Sequence, residues 1–168
     1  MAVFRRKSNL ILTILLVAVF VLGGLGFYSL FKRVDKLETT KTVSTSAYSR
    51  GLLSDTTGKL PKDSEDIEYS GIHMNGYINV DGLVCEIVTG AKIKYEINYY
   101  DEDYVFLGVA KMTTDYDSAE DAELQENGNL ETAKYVKIEI IPTADPDGEV
   151  SIFEVASYAK LLNVTYNK

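Results

Sequence analysis

His73, Asn75, Tyr77 and Asn79 alternate with the apolar residues Ile72, Met74, Ile78 and Val80 along one short segment. In a strand, successive side chains point to opposite faces, so this spacing gathers an imidazole, two amides and a phenol on one side. Such a set suits a sugar. Amides and imidazole can bond hydroxyls while an aromatic ring lies against the C–H face, and convergent polar groups of this kind fix a ligand's orientation. The same alternation is also how an antiparallel sheet shows polar residues to water. Tyr100 and Tyr104 bracket the acidic turn Asp101-Glu102-Asp103 and add two rings that could stack on a glycan or a partner chain. Tyr95 and Tyr99 fit better as core or hairpin residues, since tyrosine favours strands and cross-strand pairs.

A second pattern concerns calcium. Thr143-Ala144-Asp145-Pro146-Asp147-Gly148, followed by Glu154, sets oxygen-bearing residues and a glycine near the spacing of an EF-hand loop. No cofactor is expected, the alternative being calcium with Asp145, Asp147 and Glu154 as candidate ligands. The pattern departs where Thr143 replaces the leading carboxylate and where the flanks read as strands; Asp-Pro-Asp-Gly is also a tight-turn sequence. Catalysis has little to draw on. His73 is the sole histidine and Cys85 the sole cysteine, and no Gly-x-Ser-x-Gly elbow or glycine-rich phosphate loop occurs. One His and one Cys do not make a zinc site. Carboxylate pairs suited to glycoside hydrolysis cannot be singled out among 25 acidic residues. A non-enzymatic role is therefore expected.

The elements that would hold these residues begin with a membrane segment. Leu10 to Phe31 is an apolar run broken only by Thr13, Ser29 and glycines, and it comes just after Arg5-Arg6-Lys7. About 20 apolar residues at roughly 1.5 Å each cross a bilayer as a helix. The run is long for a cleaved signal and no cysteine lies close behind it, so an uncleaved signal-anchor over 10–31 is expected. Basic residues flank both ends. The acid-free N-terminal flank and the large C-terminal remainder of the chain favour residues 1–9 inside and the C-terminal domain outside the cell membrane, in a single pass.

Charge divides the chain. Up to Lys41 there are seven basic and two acidic residues; after it there are ten and 23. So acidic a domain repels nucleic acid, and binding of DNA or RNA is not expected. Residues 32–66 have linker composition: a Ser/Thr-rich run, then Gly51, Gly58 and Pro61 with little apolar material. They are expected to form a flexible juxtamembrane stalk.

From Ile67 the period becomes two, and residues 67–168 are expected to form one domain. Asp81-Gly82 predicts a hairpin between Ile72–Val80 and Leu83–Val88. Further strands are expected over Lys92–Tyr100 and Tyr104–Ala110, giving a meander of three hairpins. Thr113–Ala133 reads as an acidic loop. Strands resume at Lys134–Ile141, Val150–Tyr158 and Leu161–Tyr166. The fold class is all-β: an antiparallel jelly-roll-type β-sandwich preceded by one N-terminal transmembrane helix and the stalk.

Within this pattern, Lys134-Tyr135-Val136-Lys137-Ile138-Glu139-Ile140 and Glu149-Val150-Ser151-Ile152-Phe153-Glu154-Val155 resemble the closing strands of galactose-binding-like (discoidin-type) β-sandwiches. Asn98–Gly108 similarly resembles a hairpin of bacterial and phage carbohydrate-binding modules. The likeness spans about residues 67–158. It implies a sandwich fold and a carbohydrate ligand, although this chain has no tryptophan, a residue such modules often use. The combined expectation is a membrane-anchored surface binding module for glycans, with a protein–protein interaction or assembly subunit as the rival.

Overall fold

The computed structural model describes residues 39–113, 122–126, 128–145 and 148–168. The expected transmembrane helix over 10–31 and residues 32–38 of the expected stalk lie outside them. Among the described residues no helix is long and apolar enough to cross a membrane.

Residues Thr40–Lys168 make a compact unit of two antiparallel sheets. The strands in chain order are β1 (Thr40–Thr42), β2 (Tyr48–Arg50), β3 (Ile72–Met74), β4 (Ile78–Asn79) and β5 (Val84–Ile87), followed by β6 (Ile93–Tyr100), β7 (Phe106–Met112), β8 (Ala122–Leu124), β9 (Tyr135–Pro142) and β10 (Leu162–Asn167). One short helix, α1 (Val155–Ala159), precedes β10. The smaller sheet runs β1-β10-β5; the larger runs β2-β3-β9-β6-β7-β8, with β4 also pairing β9. The all-β expectation holds at this level.

The core lies between the sheets. Ile72, Met74, Tyr95, Ile97, Val136, Ile138 and Ile140 of the larger sheet form one buried cluster with Cys85, Leu162 and Val164 of the smaller one. Each such aliphatic side chain, once fully buried, contributes about 1.5–3 kcal/mol. Cys85 is among them, and burial pushes its thiol up to about 12, so it packs as a hydrophobe.

Several expectations are corrected. Residues 40–66 do not form a stalk. Thr40–Thr42 pair with Thr165–Asn167, Tyr48–Arg50 pair with β3, and Leu53 is buried. Asp81-Gly82 does not close a hairpin: β4 pairs β9 in the larger sheet while β5 pairs β10 in the smaller, so the turn carries the chain from one sheet to the other. Only β6 and β7 of the expected meander form a hairpin, with a register shift between Tyr99 and Tyr100. Val150–Tyr158 is a turn running into α1, which packs on β2, rather than a strand. Its β-favouring residues are overruled by their tertiary surroundings, as β-propensity often is.

Candidate functional site

Directly opposed residues of antiparallel strands share a face, so the registers define what the outer face of the larger sheet presents. One rank across it is Ser49, His73, Glu139, Glu96 and Lys111. The next pairs Lys137 with Asn98 and Asn98 with Val109. The last is Asn79, Tyr135, Tyr100 and Phe106. The face is thus charged at one end and aromatic at the other.

Residues 51–60 cross this face as a strap, and buried polar side chains hold its backbone. His73 Nδ1–H donates to the Gly51 carbonyl at 2.7 Å. The Leu53 N–H donates to Glu139 Oε1, and the Tyr100 hydroxyl donates to the Gly58 carbonyl. Lys111 Nζ meets Asp55 Oδ2 at 2.9 Å. At Gly58 the backbone has φ +59°, and a Cβ there would strike the Phe106 ring and the Tyr100 hydroxyl. Only glycine suits this place.

His73 therefore does not stand where its spacing in the sequence suggests. It is 6% exposed, and its ring is a fastening for the strap rather than a ligand group. Burial pulls its pKa down. Asn75 is exposed in the bend that breaks the expected long strand between β3 and β4. Asn79 is half-buried, and its Oδ1 accepts the Asp81 N–H at 2.9 Å.

Tyr77, Tyr100 and Tyr104 do come together. The Tyr77 ring lies 4.9 Å from Tyr100, edge to face, and 4.6 Å from Tyr104. Tyr135 stacks on Tyr104 at 4.7 Å, and Lys137 Nζ stands 4.6 Å over the Tyr77 ring, a cation–π contact. Tyr100 is wholly buried and serves as the base, whereas Tyr77 and Tyr104 are 36% and 47% exposed. Asp101 shapes the turn beneath them: its Oδ1 accepts the N–H groups of Asp103 and Val105, each at 2.9 Å. Tyr104 has φ +62°, the one positive value outside glycine among the described residues. A non-glycine residue held there is strained, and such strain gathers at binding sites. Tyr135 and Lys137 complete the group and are not singled out by the sequence alone; their signal is the alternation in β9, legible only once its register against β4 and β6 is known.

Beside the strap, at the charged end, lies a cleft of about 410 Å³ lined by Glu96, Glu139, Lys94 and Lys111 among others. Glu96 and Glu139 face each other across β6 and β9. Burial pushes the Glu139 carboxyl up to about 7, against the pull of its donors Leu53 N–H and Asn98 Nδ2. With both oxygens so engaged, Glu139 is committed to the strap and not presented to a substrate.

The calcium pattern gains no cage. Asp147 lies outside the described residues, Glu154 Oε2 accepts the Ser151 N–H at 2.9 Å within its own turn, and no three His, Cys, Asp or Glu side chains converge among the described residues. No protein-family model, curated protein or solved structure matches the chain.

Proposed function

We propose that this chain is a membrane-anchored, non-catalytic surface binding module whose Tyr77–Tyr104–Tyr135 platform stacks on a saccharide. The observation that carries the reading is the platform itself: two half-exposed rings packed on a third, underlain by buried Tyr100 and flanked by the Lys137 ammonium. Rigid aromatic faces beside N–H donors match the alternating C–H faces and hydroxyls of a sugar. The strained Tyr104 backbone is a second support. The jelly-roll-type order, the galactose-binding-like relationship and the placement outside the cell membrane belong to this reading. That placement rests on the apolar run Leu10–Phe31 with its basic flank.

The test is a glycan array probed with the full chain in a sugar-free detergent. Specific binding that is lost in Tyr77→Ala supports the reading; a blank array with folded protein removes it. The rival reading, a protein-interaction or assembly subunit, is favoured by Ile152 and Phe153, which stand 71% and 91% exposed at the turn before α1. Co-purification of one stoichiometric protein partner, abolished by Phe153→Ser, would favour that rival.

A further inference from the structure

Glu96 has no part in the aromatic platform. It is 6% exposed and lines the cleft beside the strap. Among the described residues no donor hydrogen-bonds its carboxylate: the Lys111 ammonium goes to Asp55, and the Leu53 N–H and Asn98 amide go to Glu139. A mostly buried carboxylate that feels the Lys111 and Lys94 charges but has no hydrogen-bond donor gains from a donor entering the cleft.

The lining selects the donor's chemistry. Lys111 is taken by Asp55, and Glu139 is held by Leu53 and Asn98, which leaves Glu68 and Glu96 against Lys94, so the cleft keeps a small negative balance that favours positive charge. Its remaining wall sets apolar Leu52, Ile141 and Pro142 beside the hydroxyl residues Ser70 and Thr143. A bare metal ion would need several converging ligands, and no group of three such side chains is present among the described residues. The volume of about 410 Å³ falls in the range of small-molecule sites. The geometry points to an organic ammonium ligand, a primary amine on a short alkyl chain, with its N–H donors on Glu96 and its stem along Leu52, Ile141 and Pro142. This site stands apart from the saccharide reading.

The experiment is calorimetric titration of the full chain, in the same detergent and about 150 mM salt to screen diffuse attraction, with pentane-1,5-diamine as probe. Saturable binding is expected, at least tenfold weaker in Glu96→Gln, unchanged in the exposed control Glu131→Gln, and absent for pentane-1,5-diol. No saturable binding to the native chain, equal affinity in Glu96→Gln, or equal weakening in Glu131→Gln overturns the proposal. Should Glu96→Gln fail to fold, amide NMR of the native chain decides. Shifts on diamine addition confined to the neighbourhood of Leu52, Lys94 and Ile141 support the site, and shifts centred on Tyr77 and Tyr104 overturn it.

Discussion

Glu139 on β9 takes the backbone N–H of Leu53 from 86 residues earlier in the chain, with Asn98 donating to its other oxygen at 2.6 Å. This joins the strap to the middle of the larger sheet through one buried carboxylate. The Asn98 Oδ1 is left buried without a partner. If Glu139 gains a proton, a flip of the Asn98 amide lets that proton be donated to Oδ1.

Glu139 is one source of the pH dependence of stability, and the carboxyl of Glu96, which burial also raises, acts in the same direction. The Glu139 carboxyl titrates near 7 in the folded protein against about 4.5 when unfolded. The folded state therefore holds the proton more tightly, and this group's contribution to stability is present in full below about 4.5 and lost as pH rises through 7. A shift of that size corresponds to about 3 kcal/mol as an order of magnitude. His73 acts oppositely: its lowered pKa costs stability as pH falls below 6.5. Urea unfolding of native chain and Glu139→Gln at several pH values separates the two. The variant should lose the share of the decline between pH 5 and 8 that Glu139 supplies, leaving the part due to Glu96; an unchanged profile would show that Glu139 does not titrate there.

His73→Ala removes the donor to the Gly51 carbonyl and leaves a void beneath the strap. A loss of about 2–3 kcal/mol is expected, with faster amide exchange in residues 51–60 and glycan binding retained. Loss of binding without loss of stability would return His73 to the ligand site.

Gly58→Ala combines an unfavourable positive φ with a clash against Phe106 and Tyr100. It should destabilise by about 2 kcal/mol, read as a lower urea midpoint at unchanged slope.

Tyr104→Gly separates function from folding. Glycine relieves the left-handed strain, roughly 1–2 kcal/mol, and offsets part of the lost ring contacts. Thermal stability should stay within a few degrees while saccharide binding falls by tenfold or more. A fall in both would recast Tyr104 as a structural residue.

Much of the sheet is legible in the sequence. The alternation of Ile93, Tyr95, Ile97 and Tyr99, and of Val136, Ile138 and Ile140, marks β6 and β9 because one set of side chains meets the core. The opposite set is not interpretable alone. His73, Glu96, Asn98 and Glu139 look solvated in any period-two pattern, yet all are buried. What hides them, residues 51–60, has the composition of a linker, because a strap held largely by its backbone amides and carbonyls needs few apolar side chains. The tyrosine platform is half legible. Tyr77, Tyr100 and Tyr104 can be named from their positions, but Tyr135 and Lys137 join them only through the β4–β9 and β6–β9 registers.

The strap also bears on the order of assembly during synthesis. Residues 51–60 leave the ribosome well before the strands they cover, and their fastenings at Tyr100 and Glu139 lie 42 and 86 residues downstream. Until β9 has emerged, the nascent chain has no carboxylate to receive Leu53, and the back of the β6–β7 hairpin stays open to solvent and to wrong partners. Closing so long a loop is slow relative to local pairing. Seating of the strap should thus be a late event, and variants that weaken it should speed unfolding more than they slow folding.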